Sequence, residues 1–189
     1  MKPMSVFAID GAESVGKSTM LKLVQYSDSF EKDVYVMPDL AREWYEKNII
    51  TPAEMGKEQH EEKQLDILHE YITHLQLAKE MGKDVLVDSS IITMCAYSVD
   101  CMRAEYMSLM YDCIMNTPHT YKSVVLAPYR AIEEDPVRFG SDSYRIKIHN
   151  RIMNLVANAG VETFIPAGDT AEEKAREAIT FFNSELFPE

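Results

Sequence analysis

Two kinds of hydrophobic pattern alternate along the chain. Ser5–Asp10, Val34–Met37, Asp84–Asp88, Ser123–Ala127 and Glu162–Pro166 are short, largely continuous apolar runs, the form taken by strands covered on both faces. Between them lie longer stretches in which apolar residues recur every three or four positions. Leu65, Leu68, Ile72 and Leu75 step by three, four and three, which places them on one face of a long helix over Glu54 to Met81, closed by Gly82. Tyr144, Ile148, Ile152, Leu155 and Ala159 form a second stripe that stops at Gly160, and Ala175, Ala178, Ile179, Phe182 and Leu186 form a third. Strands alternating with helices in this way predict an α/β fold built on a parallel sheet. No internal repeat or Ser/Gly-rich linker interrupts the order, so residues 1–189 are expected to form a single domain, with Pro128 to Ser143 its least regular segment.

The first strand runs straight into Gly11-Ala12-Glu13-Ser14-Val15-Gly16-Lys17-Ser18-Thr19, which matches G-x-x-x-x-G-K-[ST] and opens a helical run through Met20, Leu21, Leu23 and Val24. A loop with glycine at both ends can turn its backbone amides inward around a β-phosphate, at the positive end of the following helix. Lys17 then reaches the β/γ oxygens, and the Ser18 hydroxyl serves Mg²⁺. The third strand delivers Asp88 to the carboxyl edge of the sheet, where ligands bind in such folds, as a second Mg²⁺ partner; the alternative is an N-cap of the next helix. Neither a D-x-x-G switch nor an N-K-x-D base-reading element accompanies the loop, which argues against a GTP switch.

Charge narrows the partners. With 19 basic and 31 acidic side chains the chain carries −12, so broad binding to nucleic acid or anionic membranes is disfavoured. No run approaches the roughly 20 apolar residues of a membrane span, and the N-terminal apolar segment is cut short by Asp10, so no export signal is expected. Cys95, Cys101 and Cys113 are odd in number and lack C-x-x-C spacing, consistent with free thiols in a reducing cytoplasm rather than a zinc site. His60, His69 and His74 share the long acidic helix without metal-site spacing; His60 or Gln64 could instead line a substrate pocket.

Four ordered segments carry a family resemblance: the Gly11–Thr19 loop; Pro38-Asp39-Leu40-Ala41-Arg42-Glu43-Trp44; Val87-Asp88-Ser89-Ser90 with Thr93; and Asp135-Pro136-Val137-Arg138 ahead of Arg145. On these the chain resembles the ribosylnicotinamide kinase domain of a bifunctional NAD-biosynthesis regulator, and related small P-loop ATP-binding proteins of phages and bacteria. The resemblance implies a three-layer α/β/α P-loop fold of the nucleoside and nucleotide kinase type, with five parallel strands in the order 2-3-1-4-5. It also implies ATP with Mg²⁺ as donor and a small nucleoside or nucleotide as acceptor. Two departures leave the acceptor open. Ser90 stands where the ribosylnicotinamide kinases have a second carboxylate, and Ser89 where thymidylate and deoxynucleoside kinases place an arginine.

In this fold Asp39 and Arg42 follow the second strand beside the phosphate loop. Asp39 is the candidate general base, or else a helix N-cap. Arg42 is positioned to hold acceptor or transferred phosphate, or else to pair with Glu46. Trp44, with Tyr45, offers a stacking surface or simple packing. Residues 128–143 read as a lid whose arginines reach the transferring oxygens, Arg138 first, then Arg145 and Arg130, with pairing to Glu133, Glu134 or Asp142 as the alternative. Arg138, Arg145, Lys147 and Arg151 form a basic cluster suited to a polyphosphate. The expected protein is thus a cytoplasmic phosphotransferase of a bacterial cell or phage-infected host, with a homodimer left open. Three alternatives stand beside it: a deoxynucleoside monophosphate kinase, a phage kinase of hydroxymethylated bases in DNA, and a non-catalytic ATP-binding regulator.

Overall fold

A computed structural model describes residues 4–48, 55–115, 120–127 and 142–184. Its elements run β1 (Ser5–Gly11), α1 (Lys17–Gln25), β2 (Val34–Met37), α2 (Leu40–Asn48), α3 (Lys57–Glu80), β3 (Asp84–Asp88), α4 (Ile91–Ser98), α5 (Ala104–Met115), β4 (Thr120–Leu126), α6 (Asp142–Ala159), β5 (Glu162–Phe164) and α7 (Ala171–Asn183). The strands form one parallel sheet in the order β2-β3-β1-β4-β5, as expected.

The period-two geometry of a strand divides the central residues between two cores. Val6 and Ala8 of β1, with Val85 and Val87 of β3, face α3, α4, α5 and α6. Phe7, Ile9 and Leu86 face α1 and α7, where Phe7 meets Phe30 and Phe182 edge-on at 5.9 and 5.3 Å. Burial on both sides explains why these strands read as continuous apolar runs. Because the strands are parallel and in register, Gly11, Asp88 and Leu126 all arrive at the same edge, and Asp39 follows two residues after Met37.

Several boundaries differ from the sequence expectation for identifiable reasons. β4 starts three residues earlier than Ser123 because Lys122 is accommodated inside: its ammonium donates to Phe181 O, Ser184 O and Ser184 Oγ at 2.9, 2.6 and 2.8 Å. β5 stops at Phe164, short of Pro166, which has no amide to continue a ladder. In α3 the buried face is Ile67, Leu68, Tyr71 and Ala78, with Lys63 and Gln64 above them; Leu65, Ile72 and Leu75 lie on its flanks. In α6 the buried face is Arg145, Ile148, Ile152 and Val156, one residue round from the predicted stripe. Both rotations bring polar side chains inward, and both matter for the site.

Candidate active site at the phosphate loop

The loop between β1 and α1 is shaped by backbone rather than by side chains. Gly16 occupies the N-cap of α1 at φ 92°, and no side chain caps the helix, so its first amides face the loop interior without an internal acceptor. A Cβ at Gly11 would lie 2.9 Å from Leu126 O and from Val15 Cγ2, so only glycine lets the strand turn there. Ser14 adopts φ 59°, and its buried Oγ has no partner among the described residues. An uncapped helix start, a left-handed turn and an unspent hydroxyl together make an anion cradle, a good match to the phosphates of ATP.

Polar groups beneath the cradle fix it in place. Asp10 is fully buried, and its carboxylate accepts from the Ser90 amide (3.0 Å), Ser90 Oγ (2.8 Å), Thr93 Oγ1 (2.8 Å) and Ser123 Oγ (2.7 Å). It thereby ties β1 to α4 and β4 immediately before the loop. Ser90 is also the N-cap of α4, its Oγ accepting from the Ile92 amide. Tyr97 OH accepts from the Glu13 amide at 2.7 Å, and burial pushes its pKa above the ordinary phenol value. On the other side, Arg145 Nε donates to Glu13 O at 3.1 Å and a terminal nitrogen to Ser14 O at 3.4 Å. Arg145 is 1% exposed, so its charge is held against the loop rather than in solvent.

The chemistry-bearing side chains converge above this frame. Lys17 Nζ donates to Ala12 O at 2.8 Å. Burial lowers its pKa, while the carboxylates of Asp88, Asp39, Asp10 and Glu13 oppose the shift. Ser18 Oγ donates to Asp88 Oδ2 at 2.6 Å, and Ser89 Oγ to Oδ1 at 3.1 Å. Burial raises the Asp88 pKa against the pull of Lys17 and the Ser18 hydrogen bond. A hydroxyl and a carboxylate side by side are hard oxygen donors of the kind Mg²⁺ takes, so Ser18 and Asp88 are the residues that would hold it.

Asp39 both caps α2, accepting from the Arg42 amide at 3.1 Å, and pairs with Arg42 Nε at 3.5 Å. Arg42 therefore pairs with Asp39 instead of Glu46, and at 59% exposure it remains accessible. Trp44 donates to Asp66 Oδ2 at 2.9 Å and meets Tyr45 edge-on at 5.7 Å, so the indole docks α2 against α3. Asp88 is not the α4 cap, a place taken by Ser90.

The basic cluster is dispersed in the fold. Lys147 and Arg151 both bind Asp100, at 3.0 and 2.7 Å, which neutralises much of their charge. Of the segment taken as a lid, Asp142 and Ser143 belong to α6; Arg138 and Arg130 lie outside the described residues. Asp10 and Tyr97 went unrecognised in the sequence. An aspartate ending an otherwise apolar strand was a visible signal for the first; nothing local marked the second, whose hydroxyl meets the loop only through the fold.

This combination defines a P-loop nucleotide-binding fold of the kinase type. The chain belongs to an AAA domain family, whose model matches residues 6–174. No curated protein is significantly similar in sequence. Among solved structures it is similar to NadR protein in complex with NR (TM-score 0.72, 17% identity, covering 98% of this chain and 53% of that one). It is also similar to NadR in complex with NAD and AMP-PNP (0.67, 16%, 98% and 51%). Thymidylate kinase from Ehrlichia chaffeensis matches at 0.64 with 11% identity over 95% of this chain and 99% of its own. The chain thus spans about half the length of the NadR chains. The resemblance to P-loop nucleoside and nucleotide kinases drawn from the four segments is borne out.

Proposed function

We propose that the protein transfers the γ-phosphoryl group of ATP, with Mg²⁺, to a small nucleoside or nucleotide. The observation that carries this reading is the placement of Lys17, Ser18 and Asp88 at one sheet edge around an uncapped helix start, with Asp39 close enough to act electrostatically on both Lys17 and Asp88. ATP would supply the phosphoryl group, and Mg²⁺, held by Ser18 and Asp88, would supply positive charge to offset that developing on the phosphates. The α1 amides and Lys17 hold the phosphates; Lys17, partly freed from Ala12 O, leans on the oxygens that gain charge during transfer. Asp39 orients the acceptor oxygen and takes its proton, or, for a phosphate acceptor, Arg42 steadies that phosphate while Asp39 fixes Arg42. Arg145 acts on the loop carbonyls, a positioning role. Arg138 would add a further cation at the transferring oxygens. The most coherent setting is a cytoplasm in which Cys95, Cys101 and Cys113 remain the free thiols seen in the fold.

The test is ATP-dependent transfer to a panel of nucleosides, deoxynucleoside monophosphates and nicotinamide riboside. Asp39→Asn should lower kcat about a hundredfold or more, with ATP affinity within about twofold. Transfer to no acceptor on the panel contradicts the kinase assignment and favours the nucleotide-binding regulator. An unchanged kcat in Asp39→Asn removes the base.

A further inference from the structure

Lys63 is a lysine in an unusual position. It lies on α3 and is 8% exposed, yet the one hydrogen bond of its ammonium among the described residues goes to Tyr45 OH of α2, at 2.7 Å. The same nitrogen sits 4.7 Å from the centre of the Tyr45 ring. An ammonium has three donors, and a buried one ordinarily meets a carboxylate or several oxygens. The other buried lysine among the described residues does so: Lys122 has three oxygen partners at the end of α7, and Glu162 at 3.7 Å. Lys63 has no carboxylate within 4.0 Å among the described residues, and none of these takes its other two donors.

Its partner Tyr45 lies on α2, the helix that Asp39 and Arg42 open, which puts Lys63 on the acceptor side of the loop. Glu13 of the loop acts electrostatically on both Lys63 and Tyr45, Cys101 after α4 acts on Lys63, and Tyr144 of α6 acts on Tyr45. Lys63 in turn acts on His60, one turn earlier on its own helix. Burial draws Lys63 down to about 8, with Cys101 and Glu13 holding it up, so it stays mostly protonated at neutral pH. A positive group with free donors, already stacked on the local aromatic surface, attracts an oxyanion and repels a cationic ring.

We infer that Lys63, with Tyr45 presenting it, selects the acceptor by charge: the acceptor group beside α2 is an oxyanion, as in a nucleoside monophosphate, and a pyridinium nucleoside is disfavoured. This rests on the kinase reading, which places the acceptor beside Asp39 and Arg42.

The experiment is equilibrium binding, followed by calorimetry, of deoxynucleosides, their 5′-monophosphates, nicotinamide riboside and nicotinate riboside. Each is titrated into wild type, Lys63→Met and Lys63→Arg, with the ATP affinity of each variant measured alongside. At least one oxyanion probe should bind wild type at least about tenfold more tightly than its neutral or cationic counterpart. Lys63→Met should lose about ten- to a hundredfold for that probe while keeping ATP affinity, and Lys63→Arg should keep most of it. A 5′-monophosphate as the tight probe identifies the oxyanion as phosphate, and nicotinate riboside as carboxylate. Equal binding of charged and uncharged probes, an unaffected Lys63→Met, or binding of no oxyanion probe overturns the inference; if Lys63→Met fails to fold, Lys63→Gln takes its place under the same criteria. Transfer to a neutral nucleoside that ignores Lys63 would sink the inference and leave the kinase reading intact, whereas absence of any ATP binding would sink the reading itself.

Discussion

Replacing Asp10 by alanine tests whether the phosphate loop is anchored from beneath. The substitution removes a fully buried carboxylate and leaves the Ser90 amide and the hydroxyls of Ser90, Thr93 and Ser123 without their common acceptor. A buried donor left unsatisfied costs about 1–3 kcal/mol. Some of the three hydroxyls can rotate towards backbone carbonyls, while the amide cannot, so the total is set at about 3–5 kcal/mol, the range for breaking one side of a buried charged network. For a chain of this size that corresponds to a fall in Tm of roughly 6–20 °C. Asp10→Asn retains one acceptor oxygen and should lose less, about 1–2 kcal/mol. Urea unfolding and thermal melts of the three proteins make the comparison. A loss below about 1 kcal/mol in Asp10→Ala would refute the anchoring argument.

Two further outcomes follow from other parts of the site. Arg145→Ala frees Glu13 O and Ser14 O, and should weaken ATP binding about tenfold, equivalent to about 1.4 kcal/mol; an unchanged Kd by calorimetry would contradict the positioning role. Asp100 is held below the ordinary carboxylate range first by its hydrogen bond to Arg151 and then by Lys147. A depressed carboxylate stabilises the fold above its unfolded pKa, and that contribution disappears as the pH falls through the folded value. Because Asp100 is 44% exposed, its share is only about 0.5–1 kcal/mol, measurable as a stability gap between wild type and Asp100→Asn at pH 7 that closes in strong acid. A gap that persists there would contradict the assignment.

The five strands were legible because apolar strands buried on both faces leave an unmistakable run; their order came from the family resemblance, anchored by the loop motif between the first strand and first helix. Lys17, Ser18 and Asp88 were legible for the same reason: each is fixed by its distance along the chain from an element that the pattern predicts. The acceptor side was less so. Lys63 sits among Glu61, Glu62 and Asp66 in sequence, where it reads as one charge of a solvated face, and only the rotation of α3 onto Ile67, Leu68 and Tyr71 turns it inward. Arg145 was expected to reach the transferring oxygens or to pair with an acidic neighbour such as Asp142; one residue of rotation in α6 puts it on the buried face against the loop, with Asp142 Oδ1 at 3.2 Å. Lys147 and Arg151 looked like company for phosphate, but Asp100, some fifty residues away in sequence, takes both. Helix phase and long-range ion pairs depend on tertiary packing, which spacing along one chain does not encode.

The most direct measurement is a calorimetric titration of ATP in the presence of Mg²⁺ into the wild-type protein and Lys17→Ala. The structure predicts one saturable site in the wild type, weakened by chelating the metal and lost in Lys17→Ala with the fold intact. Absence of any binding heat in the wild type, or equal affinity in the variant, would contradict it.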